Sequence, residues 1–268
     1  MNKPFLKWAG SKRKSVNIIK ENIEPINGRL IEPFLGSGAV FLNVDAEEYI
    51  LSDLNGDLIQ LFKILQSEGS EFIKFTKDNY FSDTSNTKEV FYKLRDEFNN
   101  TEDKYKRSAL FVYLNRHSFN GLCRYNKSGK FNVPFGKYKK PYFPETEMEK
   151  FINCSKRCKF FHQDFRKTFD LLESGDVSYC DPPYAPISKT SNFTDYCAGG
   201  FNNQDQLDIV KEAEAGRNKF FISNNFTDFT SEIYKNASKI IELDVQKNIG
   251  SKGKDRKKTK EVLVIYNN

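Results

Sequence analysis

The stretch Arg29-Leu30-Ile31-Glu32-Pro33-Phe34-Leu35-Gly36-Ser37-Gly38-Ala39-Val40-Phe41-Leu42 decides the fold. Arg29–Glu32 reads as a short strand, residues 33–38 as a glycine loop, and Ala39–Leu42 as the start of a helix. That order is the nucleotide-cradling turn of a Rossmann-like unit, in which glycines permit a tight turn and close approach of a ligand to the backbone. A third glycine, which the dinucleotide fingerprint requires, is replaced by Phe41, and this argues against a nicotinamide cofactor. The next strand, Tyr49–Ser52, ends in Asp53, where such folds bind ribose hydroxyls. Asp53 could equally cap the helix that follows, a task also open to Asn55 or Asp57.

A second strand of consequence, Val177–Cys180, stops at Asp181-Pro182-Pro183-Tyr184. Two prolines fix their own backbone angles and push the preceding residue towards extended conformations, so the loop is stiff. Read plainly, it is a strand end and a turn. Read chemically, Asp181 offers a carboxylate and Pro182 a carbonyl, two acceptors for one amino group, while Tyr184 offers a face for a planar ring. This suits methylation of the exocyclic amine of a nucleobase. Its lone pair is conjugated with the ring until two acceptors draw the nitrogen pyramidal.

The rest of the α/β pattern surrounds these two loops. Phe5–Lys12 precedes a helix carrying Val16, Ile18, Ile19 and Ile23, with Ser11 as its expected cap. Trp8 reads either as a buried ring or as part of a site, and Lys7 and Lys12 as solvated or functional. Helical patterns run from Leu58 to Leu65, from Phe72, over Thr87–Phe98 and over Lys104–Asn115. Roughly ninety residues of helix between strand-rich parts read as an insertion into the α/β unit. After Pro144 the expected elements are a helix Glu145–Cys154, a strand Lys159–His162, and a loop 163–165 leading into a helix Phe165–Leu172. Beyond the Pro-Pro loop come a helix Gln204–Ala215, a strand Phe220–Ser223, a helix near Phe229–Tyr234, and strands Ile240–Val245 and Glu261–Tyr266.

Residues 116–143 differ in character: seven lysines or arginines interleave with seven aromatics. Asn126-Lys127-Ser128-Gly129 is a turn signal between Leu122–Tyr125 and Lys130–Val133, so a β-hairpin is expected. A hairpin fits the DNA major groove, where arginine bonds guanine bidentately and lysine meets phosphate. A charge run is otherwise a solvated face. Residues 247–260 form a second basic segment, read as phosphate contact or as solubility.

Composition sets the outer bounds. The chain has 268 residues, 38% hydrophobic and 15% aromatic, a net charge of +6, and two histidines. That allows a sizeable core and permits, without requiring, a polyanionic partner. The cysteines (Cys123, Cys154, Cys158, Cys180 and Cys197) lack zinc-site spacing with the histidines, and free thiols in a reducing cytosol are expected. No stretch approaches the length of a membrane span. A soluble, cytoplasmic protein with no metal is the expectation.

With FLKWAGSK, EPFLGSG, the Asp53 strand end, LNRHSFNGLCRYN, FNVPFGKYKKPYFP and DPPYAP in one order, the chain resembles the Dam family of DNA adenine methyltransferases over nearly its whole length. The resemblance implies an α/β fold: a Rossmann-like S-adenosylmethionine-dependent sheet from residues 1–54 and 145–268, with a helical target-recognition domain, 55–144, carrying the hairpin. It implies S-adenosylmethionine as cofactor, S-adenosylhomocysteine as product, and double-stranded DNA containing GATC as substrate, with adenine flipped out of the duplex. A monomer is expected.

Carried over by motif, Trp8, Ala9, Gly10, Lys12, Glu32, Pro33, Phe34, Gly36, Ser37, Gly38 and Asp53 would bind the cofactor. Asp164 and Phe165 would flank its adenine, and Asp181 would stand between cofactor and base. Asp181, Pro182, Pro183 and Tyr184 would hold the target. DNA contacts would come from Lys7, Arg95, Arg116, Phe119, Asn120, Leu122, Arg124, Asn126, Asn132, Pro134, Lys137 and Lys139. Position 119 departs from the pattern, with phenylalanine where an intercalating tyrosine is expected; a ring suffices for a wedge, but a hydrogen bond is lost. His117, Ser118 and Lys137 depart as well, which bears on flanking sequence rather than catalysis. Rival readings are an RNA or cytosine amino-methyltransferase and a non-enzymatic DNA-binding module; Asp181 and the hairpin oppose the first, and the glycine loop with DPPY opposes the second.

Overall fold

A computed structural model describes residues 1–185, 200–243 and 260–267. Among these, seven strands form one sheet: β1 (Arg29–Glu32), β2 (Glu48–Asp53), β3 (Cys158–His162), β4 (Val177–Cys180), β5 (Lys219–Asn225), β6 (Lys239–Leu243) and β7 (Glu261–Tyr266), in the order β3-β2-β1-β4-β5-β7-β6. The first five in that order are parallel, and β7 runs antiparallel between β5 and β6. Buried on both faces, β4 and β7 read as mostly apolar runs, interrupted by Ser178 in one and opened by Glu261 in the other, which is why both are visible in the sequence. The order reverses between β1 and β4, and the crevice at their carboxyl ends is where open α/β sheets bind ligands. Both loops singled out in the sequence leave those two strands.

The helices are α1 (Val16–Ile23), α2 (Gly56–Glu68), α3 (Ser70–Tyr80), α4 (Lys88–Asn100), α5 (Lys104–His117), α6 (Glu145–Ser155), α7 (Phe165–Phe169), α8 (Asn203–Glu214) and α9 (Asp228–Ile233). Five of them, α2 to α6, lie between β2 and β3. At their centre α5 packs against α2, α3 and α4, and its residues 108–117 are buried all round. An aromatic cluster joins this group to the sheet: Phe62 lies 4.7 Å from Phe151, which meets Phe5 edge-on at 5.3 Å and Phe41 at 5.6 Å. Each such ring contributes about 1.5–3 kcal/mol on burial, so the N-terminal segment and the glycine loop are fixed to these helices as well as to the sheet.

Four expectations need correction, and one choice left open, the cap of α2, is decided. Residues 39–44 make turns rather than a helix: Leu42 N–H reaches Gly38 O and Val44 N–H reaches Val40 O, but the pattern does not propagate before β2. Its apolar residues are there to plug the core, with Phe41 2% exposed. Ser11 caps nothing; its hydroxyl meets that of Ser37 at 3.1 Å, and α1 begins only at Val16 after a short 3₁₀ turn, Lys12–Lys14. Asp53 leaves the capping of α2 to Asn55, whose side chain accepts Leu58 N–H. The helix expected over 165–172 ends at Phe169. The hairpin is held by isolated bridges, Tyr125 with Phe131 and Ser118 with Phe135, not by a continuous ladder. Pro134 lacks an N–H, and Lys137 takes a left-handed φ of 54°, so regular pairing cannot extend there. Residues 247–259, and the end of the strand expected over 240–245, lie outside the described residues.

Candidate functional site

The glycine loop is built by sterics. Gly36 and Gly38 have φ of 49° and 73°, where side chains are strained. A Cβ on Gly38 would lie 2.3 Å from the Phe41 ring, and one on Gly36 3.0 Å from the Trp8 indole. The loop is tied to β2 by Leu35 N–H to Ser52 O and by Gly36 N–H to the Asp53 carboxylate, both 2.9 Å. The other Asp53 oxygen accepts Asn55 N–H at 2.8 Å. Burial raises the pKa of Asp53 while these two amides oppose the rise. Beside the loop, Phe34 lies 5.2 Å from Phe165 and 5.8 Å from Phe201, making an apolar aromatic wall. Asp164 caps α7 by accepting Arg166 N–H, and Arg166 also pairs with Asp205 and Asp208 of α8.

Lys12 joins the two loops. Its ammonium lies 2.7 Å from both oxygens of Asp181 and donates to Gly10 O at 2.8 Å. Its side chain is 6% exposed. Burial pushes the Asp181 carboxyl up to about 6; Lys12 pulls it down, Glu261 pushes it up, and the Tyr184 hydroxyl lowers it. The Lys12 ammonium also stands 4.7 Å from the centroid of the Tyr184 ring. Below them Glu32 is 2% exposed with Oε1 lacking a hydrogen-bond partner, and burial, with the Asp181 charge second, raises its pKa.

The Pro-Pro loop has a scaffold that sequence reasoning missed. Asn224 Oδ1 accepts Ala185 N–H at 3.1 Å, Asn225 Nδ2 donates to Ala185 O at 2.9 Å, and Gln206 Nε2 donates to Pro183 O at 2.9 Å. Asn224 and Asn225 are the last residues of β5, the neighbour of β4. A polar pair buried at a strand's carboxyl end was the available signal. Glu261 was also missed: it accepts the Tyr184 hydroxyl and lies 3.6 Å from Lys12.

The basic residues gather separately. Asn126 folds the hairpin tip by accepting from Ser128 and Lys130 backbone N–H groups, and Arg124 Nε donates to Asn132 Oδ1 at 2.8 Å. Phe119 is 50% exposed, followed by Asn120 at a left-handed φ of 53°, and its N–H bonds Pro134 O. Arg124, Asn126, Pro134, Lys137 and Lys139 are exposed, and Leu122 and Asn132 half-buried. Lys7 stands over the Tyr138 ring at 4.0 Å while Asn115 clamps its backbone on both sides. Arg95 reaches Val133 O, 3.1 Å away. Arg116 is set deeper, 9% exposed under the Tyr142 ring. A cavity of about 590 Å³ lined by Phe169, Glu173, Glu212 and Arg217 holds none of these residues and lies by the amino ends of β4 and β5.

Sheet order, the glycine loop after β1 and the acidic Pro-Pro loop after β4 are together those of a Rossmann-like methyltransferase. Residues 8–249 match the family model of D12 class N6 adenine-specific DNA methyltransferases, and the chain belongs to that family. It is 42% identical over 268 residues to a DNA adenine methylase of Salmonella typhi, covering 99% of this chain and 95% of that one. The same figures hold for a DNA adenine methylase of Escherichia coli (strain K12). One from Serratia marcescens is 43% identical over 269 residues, covering 99% of this chain and 98% of that one. The activity is therefore methylation of adenine in DNA. No helix among the described residues is long and apolar enough to cross a membrane.

Proposed function

We propose that the chain transfers a methyl group from S-adenosylmethionine to the exocyclic amine of adenine within GATC in double-stranded DNA, on a base taken out of the duplex. The observation that supports this most is the Asp181–Tyr184 loop. It is pinned by Asn224, Asn225 and Gln206, and it is bridged through Lys12 to the segment against the glycine turn. The residues present fit the cofactor chemically. Asp53 offers acceptors for ribose hydroxyls, and Phe34 and Phe165 apolar faces for a planar base. The orphaned oxygen of Glu32 and the carboxylate of Asp181 give an acidic side to a cationic amino acid. Trp8, Ala9, Gly10, Lys12, Pro33, Ser37 and Asp164 complete this binding set.

When bound, S-adenosylmethionine supplies a methyl whose bonding electron pair stays on sulfur, leaving S-adenosylhomocysteine. Asp181 and the Pro182 carbonyl accept the two amine hydrogens and aim the nitrogen lone pair. Pro183 keeps the rim stiff, and Tyr184 stacks on the purine. As nitrogen gains its new bond it sheds one proton to Asp181, whose pKa near 6 suits passing it on to water. Most of the rate comes from orienting two reactants. Residues 1–54 with 145–268 act as the cofactor domain and 55–144 as the recognition domain. Lys7, Leu122, Arg124 and Pro134 read the sequence, Phe119 wedges the helix, and Arg95, Arg116, Asn120, Asn126, Asn132, Lys137 and Lys139 hold the backbone. The protein works as a cytoplasmic monomer. Transfer of labelled methyl to duplexes varying each GATC base, with Asp181→Ala as control, tests this reading. Label on adenine only in GATC, abolished by the control, is expected; equal labelling of every variant overturns the specificity.

A further inference from the structure

Glu261 opens β7, paired with Asn225 of β5 and Leu243 of β6, and this backbone pairing on both sides aims its side chain at the Pro-Pro loop. The side chain is 6% exposed. Here two carboxylates share a single buried ammonium: Lys12 Nζ is 2.7 Å from Asp181, whose side chain is 20% exposed, and 3.6 Å from Glu261. The Tyr184 hydroxyl donates to the same Glu261 oxygen that faces Lys12.

Lys12 as it stands occupies the carboxylate that the target amine must reach. A buried ammonium cannot be stripped of its counter-ion without a large cost, so an incoming amine could displace it only if a second anion were in reach. Glu261 is that anion, and its distance from Lys12 requires a shift of about 1 Å to reach a normal charged hydrogen bond of about 2.8 Å. Building on the adenine-methylation reading, we propose that Glu261 is a positioning residue. It takes the Lys12 ammonium as the adenine amine engages Asp181, and it holds the Tyr184 ring in register for stacking. Lys12 remains anchored to Gly10 O throughout, so only its far end moves.

The experiment is single-turnover methyl transfer to a GATC duplex by the full chain, beside calorimetric binding of S-adenosylmethionine, for the wild type, Glu261→Gln and Glu261→Asp. Glutamine still accepts the Tyr184 hydroxyl but carries no charge for Lys12. The transfer rate is expected to fall about tenfold with cofactor affinity within about twofold. Lys12, Glu261, Tyr184, Glu32, Tyr179 and Cys180 are the titratable groups around Asp181, and removing the negative charge of Glu261 should move the acid limb of the rate profile to lower pH. A merely structural role would not do this. Aspartate, which keeps the charge, should recover rate towards the wild type. An unimpaired glutamine variant, parallel losses of rate and cofactor affinity with an unmoved limb, or an aspartate variant no better than glutamine each overturns the proposal. A wild type that puts no label on adenine overturns the functional reading and this inference with it. An active wild type beside an unimpaired glutamine variant overturns the inference alone.

Discussion

The side-chain carbonyl of Asn224 accepts the backbone N–H of Ala185 at 3.1 Å, while its amide donates to Gln206 Oε1 at 3.0 Å and to the Tyr234 hydroxyl at 2.9 Å. One buried carboxamide thus fixes the residue after Tyr184 to the end of β5. Truncation leaves several buried polar groups without partners. Asn224→Ala should cost about 2–4 kcal/mol of stability in a urea titration and lower kcat more than it raises KM for the cofactor.

Asp181 sets the pH dependence. Burial raises its pKa to about 6 against the pull of Lys12, and only the carboxylate can take the proton that the amine sheds. The ratio kcat/KM should fall about tenfold per unit below pH 6. In Lys12→Met the opposing charge is gone and the acid limb should move to higher pH, measured as initial rates in a constant-ionic-strength buffer series. An unmoved limb would assign it to another group. For stability the sign follows from proton counting: the folded state binds the extra proton between the unfolded value and about 6, so Asp181 stabilises the fold less as pH rises through that window.

His117 acts with the opposite sign. It is 1% exposed, stacked on Tyr113 at 3.9 Å, with Nδ1 2.9 Å from Tyr113 O, and burial lowers its pKa to about 4. Its contribution is complete above the unfolded value and is lost as pH falls towards 4. His117→Phe keeps the ring and removes the titration. The stability difference between the two proteins should change by about 3 kcal/mol across that range, read by denaturant unfolding at several pH values.

Gly38→Ala should destabilise more than Gly129→Ala. Both glycines have nearly the same left-handed φ, 73° and 72°, but an added Cβ meets Phe41 at 2.3 Å in the first and nothing within 4 Å in the second. The hairpin-tip substitution should cost about 1 kcal/mol from φ alone and the loop substitution several times that, compared by thermal unfolding.

Arg124→Ala should cost about 1–3 kcal/mol at one base position and relax discrimination there, scored by competition between duplexes. Equal loss on every duplex would reassign the side chain to the phosphate backbone. The Asn132 contact that now holds its Nε makes Asn132→Ala the companion variant.

The strands flanking the site were legible because burial on both faces writes itself as mostly apolar runs, broken only by Ser178 in Val177–Cys180 and opened by Glu261 in Glu261–Tyr266. The same logic misled at Ala39–Leu42, where an apolar run after a glycine loop imitates a helix while its side chains serve only to fill space. Asp181, Lys12 and the glycines could be picked out because each sits in a dense local motif. Glu261 and Asn224 could not. Glu261 looks like an ordinary strand residue and Asn224 like the start of a loop until pairing of β5 with β4 and β7 carries each to the Pro-Pro loop, and no local spacing records that pairing.

Lys12, Asp181 and Glu261 come from near the beginning, the middle and near the end of the chain, and β7 is inserted between two strands made before it. The last of these three groups therefore reaches the Pro-Pro loop only when β7 fills the place between β5 and β6. Closing the sheet and completing the charge trio are thereby one event.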